Sequence, residues 1–112
     1  MISTGKQDRI DIININSDRI DALTAENLKR EIARVLDKAH PMAVLNLQGV
    51  DYIDSTGFGC LLAVHKAAKD NYGVLKFASP EKKVSESLHI LNLNTVFEIF
   101  ESLDDCIRSF NS

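Results

Sequence analysis

The stretch Asp51-Tyr52-Ile53-Asp54-Ser55-Thr56-Gly57-Phe58-Gly59 lies between two apolar runs, Met42-Ala43-Val44-Leu45-Asn46-Leu47 and Cys60-Leu61-Leu62-Ala63-Val64. The first run is short and bounded by turn formers, which predicts a buried strand. The second continues through Ala67 and Ala68 with helical spacing, so the residues between the two runs form a strand-to-helix junction. Ser55 and Thr56 are N-cap types, and a cap oxygen accepts from the open amides of a first helical turn. Gly57 and Gly59 carry no side chain to block the approach to those amides. A hydroxyl is thereby presented beside a helix N-terminus, where the dipole favours negative charge. A phosphoserine at this place is compatible with the fold.

Upstream of the junction, Arg9 to Asn16 alternates as a half-buried strand, but the phase slips between Ile12 and Ile13. A bulge there, or burial of both faces, accounts for the slip. Gly5 is expected to turn a short first strand, Ile2 to Thr4, into this longer one. Ser17 to Leu23 is polar and reads as a loop. Thr24 is an N-cap type with Glu26 in the first turn. Leu28, Ile32, Val35, Leu36 and Ala39 then give one apolar helical stripe, and Pro41 stops that helix. Strand, helix and strand in this order imply a crossover connection and parallel pairing.

Downstream, a second helix is expected from about Thr56 to Asn71, with Leu61, Val64, His65, Ala68 and Tyr72 on one face. Val74 to Ala78 is a further strand. Ser79-Pro80-Glu81 reads as a helix start: a cap, a proline at the first helical position and an acid in the first turn. Val84, Leu88 and Leu91 make the stripe of that third helix, and Asn92 or Asn94 supplies its left-handed terminus. Val96 to Phe100 is an edge-strand candidate. Ser102, with Asp105 three residues on, caps a last helix through Leu103, Ile107 and Phe110. The expectation is an α/β chain (α+β where mixed sheets are so classed) forming a single domain over residues 1–112, with a mixed sheet of four or five strands and about four helices. Asp54 and Ser55 are expected at the carboxyl end of a central strand, where open α/β sheets carry their sites.

The totals exclude several classes. Hydrophobic residues make up 45% of the 112 and charged residues 26%, as in ordinary soluble domains. No apolar run exceeds five or six residues, far short of the ~20 that span a bilayer, and the first residues lack a secretion signal. A cytoplasmic protein without membrane insertion is expected. Net charge is −3, with no basic cluster denser than Lys82-Lys83, so nothing points to direct nucleic-acid binding. Cys60 and Cys106 read as buried free thiols. His40, His65 and His89 show no ligand spacing, so neither a metal nor another cofactor is expected. A Ser-His-Asp nucleophile at Ser55 is unsupported: no Gly-x-Ser-x-Gly elbow surrounds it, and adjacent Asp54 and Ser55 would have poor triad geometry. The chain is therefore not read as an enzyme.

Two motifs resemble those of the STAS domains, and within them the bacterial anti-sigma factor antagonists. Leu45-Asn46-Leu47 followed by Asp54-Ser55-Thr56-Gly57-Phe58-Gly59 is similar to the family's strand, phosphoacceptor and helix start. Ile20-Asp21-Ala22-Leu23-Thr24-Ala25 with Leu28 matches its upstream motif, and the spacing between the two fits. The resemblance covers nearly the whole chain. The family commonly has glycine where this chain has Asp18, and leucine where it has Phe58. Asp-Ser-Thr-Gly alone is a weak signal; two motifs at the right separation are a much stronger one.

The resemblance implies a switch rather than a catalyst. The unphosphorylated protein would bind an anti-sigma factor that is also a serine kinase of the GHKL type, and so release the sigma factor. Phosphorylation of Ser55 would weaken the complex, and a PP2C-type phosphatase would restore it. Asp21, Thr24, Asp54, Ser55, Thr56, Gly57 and Phe58 are the expected partner-binding residues, with Phe58 partly exposed as an interface anchor. Four of them have a plainer reading beside this one. Ser55 and Asp54 could serve only as caps, Thr56 could merely shape the first turn, and Asp21 could be a solvated loop acid. An alternative function is that of a STAS subunit within a larger assembly, a stress-sensing complex or a transporter.

Overall fold

The computed structural model describes residues 1–111. Strands β1 (Ile2–Gln7) and β2 (Ile10–Ile15) form an antiparallel hairpin in unbroken register from Ile2 opposite Ile15 to Gln7 opposite Ile10. Its turn is at Asp8, with φ of 58°, and not at Gly5, which lies inside β1 opposite Ile12. The unbroken register also removes the bulge and leaves burial of both faces as the cause of the phase slip. Ile13 and Ile15 enter one apolar cluster, whereas Ile10 and Ile12 enter another on the opposite side of the sheet.

The chain continues through β3 (Arg19–Ile20), α1 (Ala25–Leu36), β4 (Met42–Asn46), β5 (Tyr52–Ile53) and α2 (Ser55–Asp70). It ends with β6 (Val74–Ala78), α3 (Lys82–Ile90), a 3-10 turn (Leu93–Thr95), β7 (Ile99–Phe100) and α4 (Leu103–Ser109). The main sheet is mixed, in the order β1-β2-β4-β6-β7, and every pair beyond the hairpin is parallel. β3 and β5 form a separate two-stranded parallel ribbon. Helices α1, α2 and α3 bury Leu28, Ile32, Leu61, Val64, Val84 and Leu88 in the cluster with Leu45 and Phe77. On the other face, Ile10, Val44 and Ala78 meet Cys106 and Ile107 of α4.

Several ends differ from expectation for local reasons. Helix α1 stops at Leu36, and Ala39 is exposed outside it. The Asn71 amide group donates to Leu36 O at 2.7 Å, so the next loop closes this helix before Pro41 can. Tyr72 has left the face of α2: its φ is 60° and its side chain is 83% exposed. Ser79 has φ of 55° and gives its amide to Phe100 O, so α3 begins at Lys82 with Glu81 as its cap residue. Glu81 instead accepts from the Gly49 amide at 2.8 Å. Asn92 takes the left-handed conformation after α3, and Ser102 accepts from the Asp105 amide at 3.1 Å, both as expected. His65 sits at the core boundary, its ring 5.1 Å from that of Phe97. Desolvation, aided by Lys69, lowers its pKa against an opposing effect of Glu98.

Candidate functional site

The polar segment before α1 contains β3, which the sequence reading placed in a loop. Ile20 is fully buried there and pairs with Ile53 of β5. The ribbon sets the start of α2 against the start of α1. It also moves the junction away from β4: Asp54 and Ser55 follow the ribbon strand β5, not the central strand directly. A cavity of about 430 Å³ lies under Gln48, Ser79, Pro80, Glu81, Glu101 and Asp104, and Ser55 is not in its wall.

Asp54, not Ser55 or Thr56, caps α2. Its backbone is extended (φ −93°, ψ −175°), and Oδ1 accepts from the Gly57 amide at 2.8 Å. Oδ2 accepts from the Ala22 amide at 3.3 Å, and the Asp54 amide donates to Ile20 O at 3.2 Å. All three cap types stand in a row here, and the extended backbone at Asp54 selects the first. Ser55 and Thr56 are consequently exposed helical residues. Among the described residues, nothing in the protein hydrogen-bonds the Ser55 hydroxyl or the amides of Ser55 and Thr56.

Gly57 is buried, and it is required for a reason other than access to amides. A Cβ there would overlap Ile20 O outright and stand 2.7 Å from Ile53 Cγ2. The missing side chain lets α2 lie on the backbone of β3. Gly59 is the open one: a Cβ there would meet nothing within 4 Å.

Phe58 corrects the expectation of an exposed anchor. It is only 7% exposed and belongs to the main core cluster, lining a groove with Val84 of α3. The leucine common at this position in the family was the available signal for a core side chain.

The loop between β3 and α1 is closed from within. The Asp21 amide donates to Thr24 Oγ1 (3.0 Å), that of Ala22 to Asp54, and that of Leu23 to Asp21 Oδ1 (3.0 Å). The amides of Thr24 and Ala25 both donate to Asp21 O, at 3.1 and 2.8 Å. Thr24 holds the expected cap position, but its hydroxyl does not bond the first turn of α1. It ties the loop together instead. Asp21 Oδ2 pairs with Arg19 Nε at 3.0 Å, and the side chain is 13% exposed. That bond, reinforced by the Leu23 amide, lowers the Asp21 pKa against some desolvation. The same contact raises the Arg19 pKa, and the guanidinium also lies 4.6 Å above the Tyr52 ring.

The structure thus brings Asp21, Thr24, Asp54, Ser55 and Thr56 to one place and sends Gly57 and Phe58 inward. No helix among the described residues is long and apolar enough to cross a membrane. No group of three or more His, Cys, Asp or Glu side chains that could hold a metal occurs among them. His65 packs against the rings of Phe97 and Phe77 at the core boundary.

Comparison with known proteins identifies the architecture. A Bordetella bronchiseptica protein named "Putative anti-sigma factor antagonist BtrV" is 28% identical over 93 residues, covering 83% of this chain and 80% of that one. An anti-sigma-factor antagonist (STAS) domain protein from Planctomyces limnophilus superimposes with a TM-score of 0.89 at 17% identity, over 99% of this chain and 98% of that one. The Bacillus cell fate determinant SpoIIAA, solved in its phosphorylated form, gives 0.69 at 12% identity over 98% and 99%. At such identities the two superpositions establish the fold alone. The STAS domain family model matches residues 1–106, and with the two motifs folded together at the start of α2, this chain belongs to the STAS domain family.

Proposed function

We propose that this protein is an anti-sigma factor antagonist controlled by phosphorylation of Ser55. The observation that carries the reading is the Ser55 hydroxyl: exposed, without a hydrogen bond to any of the described residues, and at the open N-terminus of a 16-residue helix. The unphosphorylated form binds an anti-sigma factor that is also a GHKL-type serine kinase and so releases the sigma factor. A phosphate on Ser55 adds about −1.5 to −2 charges at neutral pH. Within the domain, the helix dipole and the unpaired amides of Ser55 and Thr56 accommodate that charge. Across an interface it must be desolvated beside Asp54, and like-charge juxtaposition costs several kcal/mol. The complex is blocked while the fold stays as it is, and a PP2C-type phosphatase resets it. A relative named as an antagonist and aligned over most of its length supports this reading over that of an assembly subunit.

The test is to incubate the protein with ATP and the serine kinase encoded beside it, then measure intact mass. One phosphate is expected, and none on Ser55→Ala. Ser55→Ala is expected to bind that kinase persistently and Ser55→Asp to bind it at least a hundredfold more weakly. Equal binding of Ser55→Asp and the wild type would overturn the proposal.

A further inference from the structure

Leu23 is 92% exposed, more than any other large apolar side chain among the described residues. An exposed leucine on a surface is ordinary in itself. What is unusual here is the backbone beneath it. Every amide from Asp21 to Ala25 is bonded inside the protein, through Thr24 Oγ1, Asp54 Oδ2, Asp21 Oδ1 and Asp21 O. Loops at a surface ordinarily leave some of these groups to water. This one is fastened at each residue and still holds its apolar side chain away from the core. The fastening also ties it to the cap residue of α2, directly before Ser55, through Ala22 and Asp54.

The charge nearby points the same way. Asp21 is the acid of this loop, and Arg19 already neutralises it at 3.0 Å while packing on Tyr52. A partner approaching here meets a paired carboxylate that is largely covered, beside a bare leucine. Its attraction to this side of the site is therefore apolar rather than ionic.

We propose that Leu23 is the apolar anchor by which the unphosphorylated protein engages its anti-sigma factor, inserting into a hydrophobic pocket on that partner next to where Ser55 docks. The inference rests on the proposed function and adds a specificity-determining residue to it. Because the loop is already ordered, docking Leu23 loses little backbone freedom. Full burial of a leucine side chain corresponds to about a tenfold to hundredfold change in affinity. Leu23 also supplies discrimination: an anti-sigma factor with a polar or filled surface at that place would be refused.

The experiment titrates the adjacent-gene kinase with Ser55→Ala protein, so that phosphorylation cannot intervene, carrying in addition Leu23→Ser, Leu23→Ala or Leu23→Met. The serine and alanine variants are expected to lose tenfold or more in Kd, and the methionine variant to stay within about threefold. Melting temperatures should not move, since the side chain touches little. Raising NaCl from 50 to 500 mM should change the Kd of the parent less than the Leu23→Ser substitution does. Binding of Leu23→Ser within twofold of its parent would overturn the inference and leave the proposed function standing. Failure of the Ser55→Ala parent to bind would remove the proposed function and this inference with it.

Discussion

Asp54 and Ala22, 32 residues apart, are joined by a hydrogen bond of 3.3 Å from the Ala22 amide to the carboxylate that also caps α2. One side chain thus sets the position of two helix starts. Asp54→Ala is expected to destabilise the protein by about 1–2 kcal/mol, chiefly through the lost cap. The Ala22 amide is exposed and can turn to water, so it adds little to that cost. Asn at this position keeps an acceptor and should restore most of the loss. Urea unfolding followed by circular dichroism measures both.

Ser55→Ala separates the two roles of the serine that sequence alone left open. A serine that caps costs about 1 kcal/mol when replaced by alanine. Here Asp54 holds the cap, and we expect a change within about 0.5 kcal/mol, as for an ordinary surface substitution. A normal denaturation midpoint together with altered partner binding would place the hydroxyl on the functional side.

Gly57→Ala should be the more damaging change at this junction. The added methyl must displace Ile20 O or Ile53, neither of which is a flexible chain end. Overpacking of this kind costs about 1–3 kcal/mol. Gly59→Ala, where nothing lies within 4 Å, serves as the control and should not destabilise, since alanine is the better helix former.

His65 introduces a dependence on pH. Its pKa is lowered in the folded protein by desolvation, so the unfolded chain binds the proton more tightly. Stability is complete above the unfolded value of about 6.5 and falls as the pH drops below it. Lys69 works in the same direction and Glu98 against it. His65→Phe keeps a ring beside Phe97 and should flatten the part of the stability profile just below about pH 6.5. Unfolding midpoints across that range provide the check.

Much of this is legible in the sequence. Helical periodicity locates α1 and α2, and short apolar runs locate β4 and β6, whose consecutive residues are buried on both faces of the sheet. The two-residue strands β3 and β5 leave no such pattern, and Ile20 is a lone buried residue inside a polar segment. The cap of α2 was ambiguous for a chemical reason: Asp54, Ser55 and Thr56 are all good acceptors, and only backbone dihedrals choose among them. Phe58 was misread because a first-turn position at a helix start is often open to solvent, whereas α3 covers this one. The start of α3 failed in a similar way, since the left-handed Ser79 spends its amide on β7 before any cap can form.

The sheet is guarded unevenly. Three helices lie over one face, while the apolar patch of Ile10, Val44 and Ala78 on the other relies on the seven residues of α4. Lys76, buried to 8% exposure, latches that helix by donating to Ser109 Oγ at 2.8 Å, with its ammonium 4.4 Å from the Phe110 ring. Damage to the latch would bare parallel strands to neighbouring molecules, and such a variant would precipitate from solution while most of its secondary structure was still in place.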